Sequence, residues 1–534
     1  MNRFNILSRR AFLDRSFKIS MGVALSTLAD IPFVMKRALA EGAIGLNGKK
    51  MLFIFLRGAN DAVNSVIPIQ DSGYNTDINP STGAVVRPNI AIPKDAGVDY
   101  SVTGPCDVPP NALYGYNFAI RLGNGFAALH PSLKYLAPVY NAGDLAFIHR
   151  VGYPKQSRSH FDSQNYWENG SPNSNIVKDG IFYRTMLESG LASTQPLTGV
   201  SIQSALPLLL RGSEAAMTNL SDPTRYDLFG IPNTTAGNLK SDQFLALGNS
   251  IPAAAKRNRA LLELQYQNLS NTLNVFSGIN FTESGNTFTD PDTGYYLFPS
   301  TDDKNAGQAD ISSKSRAFFA NLKAAALILN KTDAIIAGTE IPDFDTHTNQ
   351  GGLTGKHPDL LRRIGWGIYA LRKYFSGSEA DRVDWDNLVV VTLSEFGRTT
   401  KQNNSTGTDH AEGGTMLVAG GAVKGYGKSG RTSAVFNCAG SVDPVLNPIV
   451  WNTGLTGSLF GISSNYIRRT VDYRSVLGRI IRKHLGAQFD EANPYATSQL
   501  GRIIPGYTNS GEKLFTGGTS TIDNTQITGE LDFI

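Results

Sequence analysis

Cysteine is nearly absent from this chain. Its 534 residues carry two, Cys106 and Cys438. Two thiols allow one disulfide in an oxidising compartment, but they do not make a disulfide scaffold. No Cys-x-x-Cys pair occurs, which argues against thiolate zinc sites and iron–sulfur clusters. A basic excess is missing as well. The chain has 49 Lys and Arg against 45 Asp and Glu, and residues 1–40 hold seven of the bases and two of the acids, leaving 42 against 43 elsewhere. That balance carries no electrostatic footprint for nucleic acid. Beyond the N-terminus there is no apolar run of membrane-spanning length, no internal repeat and no heptad series. Histidine is scarce too, at seven residues, so the places where it falls are informative.

What is present begins with a targeting segment. Ser8-Arg9-Arg10-Ala11-Phe12-Leu13 matches the twin-arginine export signal. The apolar core from Ile19 to Val34 is interrupted by Asp30 and Pro32, too short and broken for a spanning helix. Ala38-Leu39-Ala40 is an A-x-A cleavage site. Residues 1–40 are therefore expected to be a signal peptide. Residues 41–534 would be the mature chain, periplasmic or extracellular, with no stable membrane span after cleavage.

The mature chain alternates strands and helices. The apolar runs at 50–55, 144–151, 334–337, 387–393 and 415–419 read as strands, and 131–140, 312–329, 358–374 and 473–485 as helices. A helix opens at Ser159, and another is expected over 253–276. Two excursions interrupt the pattern, one at about 71–125 rich in Pro, Gly and Asn and one at about 205–310 whose end is rich in Gly, Thr and Asp. The expected fold is one large α/β domain with insertions, built on a mostly parallel sheet with its ligand crevice at the strand C-termini.

The chemistry-bearing residues cluster just past those strand ends. Asp61 follows the first strand, while Ser157, Ser159 and His160 follow the second. Asp345 and His347 lie in an acidic turn with Asp343. The Gly-rich segment 392–414 holds Glu395, Arg398, Asp409, His410 and Glu412. Three of the seven histidines thus fall in candidate loops. Carboxylates and imidazoles without thiolate suit a divalent metal, Zn²⁺ or Mn²⁺ first, with Mg²⁺ or Ca²⁺ as alternatives.

Each residue also has a plainer reading. Asp61 is a favoured helix N-cap. Ser159 and Asp162 form a capping box, although a helix N-terminus also suits a nucleophile's oxyanion. Arg398 either neutralises Glu395 or clamps an anion through its bidentate fork. His160 reads as a ligand-supporting donor. His130, His149, His357 and His484 read as structural.

The ordered segments RGANDAVN, SRSHFDSQNYWE, DFDTH, SEFGRT and GTDHAEGG resemble the exported family called domain of unknown function 1501, from about residue 48 to about 490. That family is related to the alkaline phosphatase superfamily of phosphatases, sulfatases and phosphoglycerate mutases. The resemblance implies a three-layer α/β/α fold, alkaline phosphatase-like, with a metal site at the strand C-termini. It places Asp61 as a first metal-binding aspartate and Ser159, with Ser157 as rival, as the nucleophile. It places Asp345, His347 and His410 in one metal site, with Glu395 and Asp409 as further ligands and Arg398 holding the anionic group. Two positions depart from the superfamily pattern: Asp345-x-His347 replaces Asp-x-x-x-His, and Glu395-Phe396 replaces adjacent Asp-His. The implied activity is metal-dependent hydrolysis of a phosphate or sulfate ester. The alternative is an inactive metal- or ligand-binding member of the fold. An exported partner of the family called domain of unknown function 1800 is also expected.

Overall fold

The computed structural model describes residues 44–70, 74, 86–108, 116–174, 176–193, 197–215, 217–223, 272–299, 311–436, 466–467, 469, 471–490, 498–507 and 530–534. The proposed signal segment, Cys438, and most of the 205–310 excursion lie outside these residues. Of the helix expected over 253–276, only the last turn falls within them.

Twelve strands are described, in chain order: β1 (Lys50–Leu56), β2 (Val66–Ile67), β3 (Ile120–Arg121), β4 (Ala128–Leu129), β5 (Leu145–Gly152), β6 (Gly199–Ile202), β7 (Thr218–Leu220), β8 (Ile336–Ile341), β9 (Leu388–Leu393), β10 (Gly414–Ala419), β11 (Val435–Phe436) and β12 (Val471–Asp472). The α-helices are α1 (Ala62–Ser65), α2 (Ala137–Asn141), α3 (His160–Asn169), α4 (Ile181–Ser189), α5 (Arg316–Lys331), α6 (Lys356–Ser376), α7 (Tyr473–Arg479) and α8 (Gln499–Ile503).

Nine strands form one sheet in the order β11-β5-β10-β9-β1-β8-β6-β7, with β12 also paired to β5. The run β9-β1-β8-β6-β7 is parallel throughout. Strand β10 is antiparallel to both β9 and β5. Two reversals restore direction, so β5 runs the same way as β1. The C-terminal ends of β1, β5, β8 and β9 and the N-terminal end of β10 therefore share one edge. The fold is mixed α/β with a mostly parallel central sheet.

Every residue of β1 is buried, as expected for a parallel strand covered on both faces. Its side chains alternate between two cores. Leu52, Ile54 and Leu56 join one that includes residues of α5 and α6. Met51, Phe53 and Phe55 join the other, with residues of α4, α7 and α8. Each such side chain contributes roughly 1.5–3 kcal/mol on burial. Helix α6 places Leu360, Leu361, Ile364, Ile368, Leu371 and Phe375 in the first core at helical spacing.

Boundaries differ from the sequence reading where local chemistry intervenes. The strand expected over 334–337 starts later and runs through Glu340, whose charge is met by Arg57. The 131–140 segment is a 3₁₀ turn, Pro131–Leu136, before α2. Helix α7 widens into a π-helical turn over Ile480–His484. The 71–125 excursion supplies β3 and buries Tyr74, Arg87, Ile92 and Tyr100.

Candidate metal centre

Strand direction brings the candidate loops together at the shared edge. The segment after β9 leaves the sheet and returns to β10, closed by Gly397 N to Glu412 O and Thr399 N to Asp409 O, both 2.9 Å. This pairing sets Arg398 opposite His410. The loops after β1 and β8 are pressed together at Gly58, which has φ +109°. A Cβ there would lie 2.3 Å from Asp345 N. Only glycine suits both the backbone conformation and the approach. Gly407 does the same for the next contact, since a Cβ would lie 2.4 Å from His347 O.

Three imidazoles meet in this crevice. His410 Nε2 lies 3.0 Å from His160 Nε2 and 2.8 Å from His347 Nε2. Asp345 faces all three: Oδ1 is 3.1 Å from His347 Nε2 and 3.4 Å from His410 Nε2, and Oδ2 is 3.5 Å from His160 Nε2. One ligand atom each from His160, Asp345 and His410 fall within 4.8 Å of one another, a spacing that fits a metal ion.

The opposite nitrogen of each ring is held by an acceptor. His160 Nδ1 is 2.8 Å from Glu395 Oε1, His347 Nδ1 is 2.9 Å from Asp409 Oδ1, and His410 Nδ1 is 2.8 Å from the Arg158 carbonyl. An ionised carboxylate or a carbonyl only accepts, so Nδ1 must carry the proton in each ring. The neutral rings then turn three Nε2 lone pairs towards one another. Such an arrangement needs a cation or added protons between the nitrogens. Acceptors behind imidazoles are also what metal-ligating histidines recurrently show.

The acids are held in their charged form. Burial pushes the Glu395 carboxyl up, but hydrogen bonds from His160, Gln164 and Gly58 N bring it below its usual range. Its Oε1 accepts from Gly58 N at 2.8 Å and Gln164 Nε2 at 3.0 Å, while Oε2 is buried without a hydrogen-bond partner among the described residues. Asp345 is pushed up by burial and brought net down by the hydrogen bond and charge of Arg398, whose Nη1 donates at 2.8 Å. Asp409 shifts down likewise, burial being outweighed by His347 and Asn403. His160 is raised by Glu395, whereas burial and the neighbouring His160 lower His410.

Not every candidate joins the cluster. Asp61 is fully buried and caps α1, accepting from Val63 N and Asn64 N. Its carboxylate also meets Arg87 at 2.7 and 3.2 Å and Gln350 Nε2 at 2.7 Å. Burial alone would raise its pKa, but Arg87 carries it down to about 2. Ser159 caps α3, its Oγ accepting from Asp162 N at 3.4 Å. Ser157 Oγ accepts from Ser159 N and donates to Asp162 Oδ2 at 3.5 Å. Arg398 is buried and donates to Asp345 and to the Thr408 carbonyl, so Asp345 is its carboxylate partner in place of Glu395. Phe396 walls the cluster, with its ring centroid 4.8 Å from those of both His160 and His410. Glu412 pairs with Arg469 at 2.9 Å.

Sequence reasoning placed His160 behind the ligands; the structure turns its Nε2 into the cluster. The seryl cap just before it, at a helix start past a strand end, was the available signal. Arg87 and Gln350 carried none. The remaining histidines are buried elsewhere: His130 Nε2 donates to Gly352 O, His357 Nε2 to Asn60 Oδ1 and His484 Nε2 to Lys50 O, while His149 lies within β5. Cys106 is buried and has no disulfide partner among the described residues, and burial pushes its thiol up to about 12.

Residues 299–442 match the family described as "Protein of unknown function (DUF1501)". The matched stretch contains Asp345, His347, Glu395, Arg398, Asp409 and His410, but not Asp61, Ser159 or His160. The chain matches no curated protein and no solved structure.

Proposed function

We propose that the chain is an exported, alkaline phosphatase-like protein that holds a divalent metal at His160, Asp345 and His410, with His347 beside it, and hydrolyses an anionic phosphate or sulfate ester there. The observation that carries this reading is the convergence of three Nε2 atoms whose rings are each held from behind at Nδ1. Two or three imidazoles and one carboxylate favour Zn²⁺ or Mn²⁺ over Mg²⁺ or Ca²⁺, which prefer oxygen-only shells.

A bound ion of this kind supplies Lewis-acid polarisation of a phosphoryl-type oxygen and an acidified water. The protein's own part is orientation. Glu395, Asp409 and the Arg158 carbonyl fix the three rings, and Arg398 fixes Asp345. The centre opens towards solvent on one side, where the Asp345 and His347 side chains are 43% and 40% exposed, so a substrate has access. Ser159 Oγ accepts one hydrogen bond and donates none among the described residues, which leaves its proton available for a nucleophile's role.

The test combines metal content with turnover of aryl phosphate and aryl sulfate. The reading expects stoichiometric Zn or Mn and turnover that is lost in His410→Ala. Metal without turnover of any ester in a broad panel would instead favour a binding protein. The burial of Arg398, its guanidinium engaged by Asp345 and the Thr408 carbonyl, is the observation on that side.

A further inference from the structure

A site for an anionic ester needs a cation for the anion as well as a metal. The basic side chains around this centre are mostly committed to carboxylates. Arg57 pairs with Glu168 and Glu340, Arg87 with Asp61, Arg398 with Asp345 and Arg469 with Glu412. Arg158 differs. Its carbonyl accepts from His410 Nδ1 at 2.8 Å, which fixes its backbone directly behind a proposed ligand. Its side chain is exposed. Among the described residues the guanidinium has one hydrogen-bond partner, the Tyr466 hydroxyl, and it lies 5.0 Å from that ring's centroid.

Tyr466 holds this guanidinium next to a segment that packs on the His410 loop. The next residue, Ile467, abuts the loop that carries His410: a Cβ on Gly413 would lie 3.0 Å from Ile467 O. The aromatic ring therefore supports a charged, planar group on the flank of the His410 loop without neutralising it.

We infer that Arg158 is the residue that binds the substrate's tetrahedral oxyanion at the mouth of the centre, the role that the family resemblance gives to Arg398. This deepens the metal-dependent ester reading and rests on it. A guanidinium offers paired N–H donors in a rigid fork that fits two oxygens of a phosphate- or sulfate-type group. Lysine offers the charge without the fork.

The experiment is isothermal titration of the metal-loaded chain with inorganic phosphate, comparing wild type with Arg158→Gln and Arg158→Lys. Metal content is measured on each sample. Because the contact to His410 is made by the Arg158 backbone, both variants should keep their metal. Arg158→Gln should bind phosphate at least tenfold more weakly, with Arg158→Lys between it and wild type. Equal phosphate affinity in wild type and Arg158→Gln, with metal retained, overturns this inference alone. A wild-type chain that takes up no divalent ion overturns the metal reading and this inference together.

Discussion

Replacing Arg87 by methionine isolates the buried charge beneath the proposed centre. The Arg87 and Asp61 side chains are both fully buried. Arg87 donates to both Asp61 oxygens, to Asn64 Oδ1, and to the carbonyls of Thr399 and Thr400 at 2.7–3.2 Å. It thereby ties the cap of α1 to the segment that returns towards His410. Removing one partner of a fully buried pair leaves an uncompensated charge, which costs about 3–5 kcal/mol. Asp61 keeps the Gln350 bond and its two cap bonds, so the lower half of that range is expected. Urea unfolding of Arg87→Met should show the loss as a lower midpoint at an unchanged slope. Adding Asp61→Asn should recover at least about 1 kcal/mol, because the stranded carboxylate is then gone. Asp61→Asn alone should keep its metal, since the carboxylate is engaged by arginine, amide and cap. A loss below about 1 kcal/mol in Arg87→Met, or loss of metal in Asp61→Asn, would refute this reasoning.

Acid should destabilise the fold. Burial lowers His130 and His149 to about 3, and His357 and His484 to about 4, from an ordinary 6.5. The unfolded chain then binds more protons below pH 6.5, so this stability is complete above 6.5 and drains as pH falls towards 4. Four such groups give a slope of up to about 5 kcal/mol per pH unit, and thermal midpoints that stay flat from pH 7 to 5 would contradict it. Gly58→Ala should cost at least about 2 kcal/mol, because a positive φ and a backbone clash coincide there; a melting curve equal to wild type would show that the 344–345 backbone yields. Ser159→Ala should lose about 1 kcal/mol as a cap and keep its metal. Complete loss of ester turnover in that variant assigns the nucleophile, whereas retained turnover removes Ser159 from the reaction.

The parts of the fold that were legible are those set by short-range pattern. The apolar runs of β1, β9 and β10 and the amphipathic spacing of α6 come from neighbours within a few residues. The loops past the strand ends could be named because a parallel sheet gathers its C-termini at one edge. The choice of partner across that edge was not legible. Glu395 and His160 are 235 positions apart, and Arg87 meets carbonyls more than 300 positions away. Nothing local distinguishes Arg398 bound to Glu395 from Arg398 bound to Asp345; the close approach at Gly58 decides it by bringing the β8 loop alongside. His160 shows the same limit. Its position at a helix start was visible, but which ring nitrogen faces Glu395 follows only from packing.

The central claim is that His160, Asp345 and His410 hold a divalent ion. It is tested most directly by elemental analysis of the purified chain beside His410→Ala. The account predicts close to one Zn or Mn per wild-type chain, and its loss from a folded His410→Ala variant. A folded wild-type chain without metal, whose melting point does not respond to added Zn²⁺ or Mn²⁺ or to chelator, would contradict it.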